Sequence, residues 1–186
     1  QIKLDNKIMI PTFKNEIQEI KFDKTKLELD VNNKKNNQFI IEGEYKFNDT
    51  STYEKFKIVN TNDKSRSNYD INFDFKGPVE VEILNYKKSV DVRSNINSVI
   101  NVINSKISVN KFDYKEGKNS ISIKGLKLDK NKNFKELKSI EVKTYDNEKE
   151  NNNFSLFFSD KILIKGTKFD ASKIINLINS KSKKNY

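Results

Sequence analysis

The sequence predicts an α+β fold of two tandem β-rich repeats, each an antiparallel sheet of about four strands with one helix packed on a face. Three observations predict it. Apolar and polar residues alternate along much of the chain, the period of a half-buried strand. Isoleucine-rich runs at i, i+3, i+4, i+7 spacing read as helices. The string Ser98-Val99-Ile100-Asn101-Val102-Ile103-Asn104-Ser105-Lys106 returns as Lys173-Ile174-Ile175-Asn176-Leu177-Ile178-Asn179-Ser180-Lys181. Strand-like segments 38–43 and 68–73 are likewise paralleled by 120–125 and 153–158. Such self-similarity marks a duplicated module. The repeats are placed at 1–93 and 94–186, sharing a boundary helix over 94–105.

Phe13, Ile17 and Ile20, after Pro11-Thr12, hint at a first helix. Phe39, Ile41, Tyr45 and Phe47 share one strand parity, and Gly43 leaves a gap where another backbone approaches. Thr52–Val59 is too short and mixed to assign. Tyr69, Ile71, Phe73 and Phe75 alternate with Asp70, Asn72, Asp74 and Lys76. Beyond Gly77-Pro78, Val79, Val81 and Ile83 alternate with Glu80 and Glu82, which predicts a hairpin with Pro78 at the strand start. After an N-cap at Ser94, Ile96, Val99, Ile100 and Ile103 predict the boundary helix. The parity of Ile121 and Ile123 flips at Leu126 and Leu128, so Gly125 is expected at a β-bulge. Asn133–Val142 stays unassigned as a unit, although Ile140 and Val142 continue the strand pattern into Phe154, Leu156, Phe158, Ile162 and Ile164. Ile174, Leu177 and Ile178 predict a closing helix after Asp170. Polar loops are expected at Asn32–Asn37, Thr61–Ser67, Glu116–Asn119 and Asp146–Asn153.

Composition narrows the chemistry. With 186 residues and 34% hydrophobic content the chain is lean, but thirteen Phe and seven Tyr supply bulk for a core. No run approaches the ~18 apolar residues of a transmembrane helix, and Gln1-Ile2-Lys3 carries no signal-peptide pattern. The chain has no Cys and no His. That removes disulfides, thiolate nucleophiles, the ordinary zinc and haem ligands and the commonest general base. Ser105-Lys106 and Ser180-Lys181 offer Ser–Lys pairs, but adjacent residues on a helix point apart. Asp70 and Asp74 lie on the wet face of a strand, and the five glycines are scattered singly rather than gathered in a phosphate loop. Asp129-Lys130-Asn131-Lys132-Asn133 mimics the start of a calcium loop, yet Phe134 stands where glycine is needed and Ile140 where a bidentate Glu belongs. No enzyme activity, cofactor or metal is expected.

The net charge of +10 is uneven. Residues 1–99 hold 17 Lys and Arg against 16 Asp and Glu, whereas residues 100–186 hold 19 Lys against 10. AT-rich codon bias also enriches Lys, Asn and Ile. A basic second repeat nonetheless attracts anionic polymers or membranes. The candidate contacts are Lys124, Lys127, Lys130, Lys132, Lys161, Lys165, Lys181, Lys183 and Lys184. Arg66 and Arg93 are isolated, and Tyr86, Tyr145 and Tyr186 are few for base stacking, so no specific nucleic acid is expected.

The stretch Asn95–Leu128, with Ser-Ile-Ser-Ile-Lys-Gly in its last strand, resembles the periplasmic domains of type IV pilus alignment proteins of the PilN/PilO kind. The resemblance implies a ferredoxin-like structural link, although Lys130–Ser139 has room for barely two turns of that fold's second helix. Lys161–Ser180 resembles the end of a bacterial pleckstrin-homology-like domain. The expected function is a non-enzymatic extracytoplasmic module of the bacterial envelope or a secreted protein, acting through a protein partner. Two alternatives stand beside it: a peripheral binder of anionic lipid or cell-wall polymer, and a pilus or secretion-machine assembly ectodomain.

Overall fold

A computed structural model describes residues 2–10, 15–31, 37–48, 52–63 and 65–172. They form strands β1 (Ile2–Ile10), β2 (Asn15–Asp30), β3 (Asn37–Phe47), β4 (Glu54–Asp63), β5 (Arg66–Lys76), β6 (Val79–Val81) and β7 (Tyr86–Lys88). Then follow β8 (Arg93–Ile103), β9 (Lys106–Glu116), β10 (Asn119–Leu128), β11 (Phe134–Glu136), β12 (Ser139–Asp146), β13 (Lys149–Phe158) and β14 (Ile162–Lys168). A single 3-10 turn, Glu82–Leu84, joins β6 to β7. Twelve strands make one antiparallel sheet in the order β1-β2-β3-β4-β5-β8-β9-β10-β12-β13-β14, with β11 beside β10, and β6 and β7 pair separately as a small hairpin.

This corrects the α+β expectation: the fold is one large sheet rather than two sheets each carrying a helix. β5 and β8 pair over eleven residues, from Arg66↔Ile103 to Lys76↔Arg93, so the sheet runs unbroken past residue 93. The boundary helix 94–105 is strand β8. Its isoleucines fit a helical spacing, but Ser94, Ile96 and Ser98 all turn inward and are buried. The serines can sit there because each Oγ donates to strand backbone, Ser94 to Phe75 O at 3.0 Å and Ser98 to Lys111 O at 3.2 Å. β-branched Ile and Val then favour the pleated form. Ile17 and Ile20 likewise lie in β2, not in a helix. The closing helix expected over Ile174–Ile178 lies outside the described residues. The stretch resembling a pilus alignment domain is three successive strands, without the helix that fold requires.

The hairpin expected across Gly77-Pro78 is also re-paired. β5 is flanked by β4 and β8, while Val79, Glu80 and Val81 face Lys88, Lys87 and Tyr86. Gly43 marks a close approach, as its place in the stripe suggests: β2 steps register between Asp23 and Lys26, and a Cβ on Gly43 would lie 2.8 Å from Thr25 Cα. Gly125 takes a left-handed φ of 68° where β10 passes from pairing with β12 to pairing with β11.

The two faces of the sheet differ. The outer face carries Lys124–Glu141 at 2.7 Å, Lys111–Asp113 at 2.8 Å and Ser122–Asp113 at 2.6 Å. Exposed pairs of this kind add little stability, ~0–1 kcal/mol each, but keep the face wet. The inner face is apolar. In the first half an aromatic group fills it, with the Tyr45 ring meeting Phe47, Phe56 and Phe73 edge-on and its hydroxyl donating to Asp74 O at 2.6 Å. In the second half the β6–β7 hairpin folds back over it. The buried core is Phe75, Val79, Leu84, Tyr86, Ile96, Tyr114, Val142 and Phe154.

Candidate functional site: an apolar groove under a pinned hairpin

Strand register stacks the inner face into rows. One row runs Phe73, Ile96, Tyr114, Ile121, Val142, Phe154 and ends at Gly166. The next runs Ile71, Ser98, Phe112, Ile123, Ile140, Leu156 and Ile164. The hairpin, through Val79, Val81, Ile83 and Leu84, roofs this surface and leaves a cavity of about 900 Å³. Seven sheet strands line it, and at about 4.8 Å per spacing the floor is roughly 29 Å long. The first row is mostly buried beneath the roof, whereas in the second Ile71, Phe112, Ile123, Ile140 and Leu156 are half-buried and Ile164 is exposed. The groove therefore closes towards the hairpin and opens at the other side.

Polar side chains pin the roof. Asn152, with no exposed surface, donates through Nδ2 to Leu84 O at 2.7 Å and to Thr144 Oγ1 at 2.8 Å, and accepts from Asp170 N at 2.9 Å. Thr144 Oγ1 donates in turn to Asn151 Oδ1 at 2.7 Å, and Asn151 Nδ2 donates to Asn85 O at 3.3 Å. Asn85 adopts the left-handed conformation that ends the 3-10 turn, with φ 47°, and its Nδ2 reaches Asp170 Oδ2 at 3.0 Å. These buried amides are tolerated because their hydrogen-bonding atoms find partners.

On the other flank Tyr86 donates to Glu116 Oε2 at 3.0 Å and lies 2.8 Å from the Tyr114 hydroxyl, which then donates to it. Asn119 Nδ2 fixes the same Glu116 oxygen at 2.6 Å. Lys88 is buried with its Nζ over the Phe75 ring and donates to Ser89 O and Val92 O, which folds the loop after β7. Burial pushes its pKa down, against the pull of Glu116 and Glu54.

Burial pushes the Tyr86 and Tyr45 phenols well above the ordinary tyrosine range and raises that of Tyr114. The folded state thus favours the neutral phenol. Its contribution to stability is complete below the unfolded tyrosine pKa of about 10 and is lost as pH rises beyond it. Stability to urea is expected to decline above about pH 10, with these three phenols ionising only as the circular dichroism of the sheet disappears. Tyrosinate absorbance fully developed in a still-folded protein would contradict this.

The groove holds almost nothing a polar ligand needs. Ser98 and Tyr114 alone bring hydroxyls to its described wall, and both are engaged, with Lys111 O and with Tyr86. No group of three or more acidic residues that could hold a metal occurs among the described residues. Asp129, in the calcium-like fragment, accepts from Asn131 N at 2.8 Å and Asn133 N at 2.9 Å, so its own turn uses the carboxylate. Those bonds, Asn133 foremost, hold its pKa below the usual range.

The lysines singled out from the sequence lie elsewhere. Lys124 and Lys127 are paired with Glu141 and Glu136 at 2.7 and 2.8 Å. Lys130 and Lys132 sit on the exposed turn after β10, Lys161 on the β13–β14 turn and Lys165 on β14 over the Phe157 ring. Lys181, Lys183 and Lys184 lie outside the described residues. None of the six described lysines lines the groove. The groove residues escaped notice as a site because an apolar strand face reads as core. No family model, curated protein or solved structure matches the chain.

Proposed function

We propose that the protein is a non-enzymatic binding module that shelters an elongated apolar chain, such as the acyl tail of a lipid, between sheet and roof. The observation that carries this is the groove: concave, about 900 Å³ and walled by aliphatic and aromatic side chains whose few hydroxyls are already engaged. Ligand pockets of ~300–1,000 Å³ ordinarily place several polar groups to orient the ligand. Here the bound portion gains by leaving water and little else. A flat protein surface does not fit beneath the roof, so the expected protein partner gives way to a chain-like ligand. A chain without Cys fits placement outside the cytoplasm in bacteria that do not rely on disulfides, and that placement is part of the proposal.

Each buried methylene contributes ~0.8 kcal/mol. About fourteen of them give about 11 kcal/mol, and an association cost of about 4 kcal/mol leaves about 7, a Kd on the order of 10 μM. Titration of the delipidated protein with a fluorescent fatty-acid analogue is expected to saturate at a small whole-number stoichiometry. No saturable binding below about 1 mM, a loss of more than 2 kcal/mol against that expectation, would sink the proposal.

A further inference from the structure

We propose that the open end of the groove docks on an anionic lipid surface; this rests on the apolar-chain reading above. On every lining strand the step from the buried row of Ile96 and Val142 to the half-buried row of Ile123 and Ile140 points to the same end of the sheet. Two segments meet there. Phe158 N, at the end of β13, donates to Lys138 O at 2.9 Å, and Lys138 N donates to Lys124 O at 3.1 Å. The β13–β14 turn and the stretch 127–138 therefore sit side by side beyond the groove mouth.

Both present the same chemistry. Phe134, Ile162 and Ile164 are 65, 65 and 66% exposed, and Leu163 and Phe157 are exposed with them. Around them stand Lys127, Lys130, Lys132, Lys135 and Lys138 against Asp129 and Glu136, then Lys161 and Lys165 against Asp160. Two of those three carboxylates are spent, Asp129 on its own turn and Glu136 on Lys127. Large apolar tips among lysines suit the bilayer interface, where the tips enter the acyl boundary and ammonium groups meet headgroup phosphates. Ile164 joins the two features, since it lines the groove and also projects from the rim. A chain drawn from the bilayer would pass it first.

The test is co-sedimentation of the full chain with vesicles of phosphatidylcholine alone or with 30% phosphatidylglycerol, a proportion on the order of an anionic leaflet. Pelleting is expected with the anionic vesicles only, weakening as salt rises. Binding should fall on the order of fivefold per lysine removed in K130Q, K132Q and K161Q. Phe134→Ser with Ile162→Ser should abolish pelleting while leaving fatty-acid-analogue binding intact, because neither residue lines the groove. Ile123→Asp should lose the analogue yet still pellet, which separates failure of the rim from failure of the groove. Equal pelleting with neutral vesicles, or none with either, overturns the proposal. Loss of pelleting on neutralising only Lys181, Lys183 and Lys184 also overturns it. So does a dimer in light scattering that the Phe134 and Ile162 changes dissociate, since the patch would then be a self-interface.

Discussion

Replacing Asn152 with leucine is expected to remove about 3–4 kcal/mol of stability, because several buried groups lose partners costing ~1–3 kcal/mol each. Leu84 O keeps only a long bond from Asn151 Nδ2 at 3.5 Å, Asp170 N loses the Asn152 carbonyl, and Thr144 Oγ1 loses a donor. Leucine keeps the branched shape of asparagine, so no cavity opens, and its larger methyl groups add crowding to the lost hydrogen bonds. With m near 2 kcal/mol/M, the urea midpoint should fall by about 1.5–2 M. The roof should loosen first, so protease cleavage within 77–92 should quicken before the sheet unfolds. A midpoint within about 0.3 M of wild type would mean that Asn152 does not pin the roof.

Replacing Ile123 with aspartate is expected to weaken binding of the fatty-acid analogue at least a hundredfold. Ile123 lies mid-floor between Phe112 and Ile140. A carboxylate there must keep its water or lose it beside an alkyl chain, and an unpaired ion taken from water costs several kcal/mol. A hundredfold is about 2.7 kcal/mol, so the expectation is modest. Because the position is half-buried and near the open side, the fold should survive, as circular dichroism would show. Ile123→Val serves as the control and should bind within about fourfold, as one methylene of ~0.8 kcal/mol suggests. Affinity of the aspartate variant within that same range would place the ligand elsewhere.

Both substitutions fall on residues whose importance the sequence conceals to different degrees. The alternation from Tyr69 to Phe75 was legible as a strand, because Asp, Asn and Lys marked one face and aromatics the other. β8 was not, because Ser94 and Ser98 broke the apolar parity and only the neighbouring carbonyls of Phe75 and Lys111 explain them. Asn151 and Asn152 sat in a stretch read as a polar loop, yet they are buried. In an asparagine-rich chain, nothing local separates a buried amide satisfied by a distant carbonyl from a solvated one. The lysines were legible as charge but not as position, since the pairing of Lys124 with Glu141 depends on which strand lies alongside β10. The groove was not legible either, because the helices expected on the apolar faces left no face for the β6–β7 hairpin to roof.

The order of strands in the sheet nearly repeats their order in the chain, with one interruption at residues 77–92. Apart from β5 with β8 and β10 with β12, each ladder joins chain neighbours through a short connection, an arrangement of low contact order for an all-β protein. The sheet can zip up hairpin by hairpin as the chain emerges. One flank of the roof must wait, because the side chains that hold it are Asn152 of β13 and Asp170 after β14. That flank closes only once β13 and Asp170 are in place, so a hydrophobic cargo met during synthesis would find the groove open on that side.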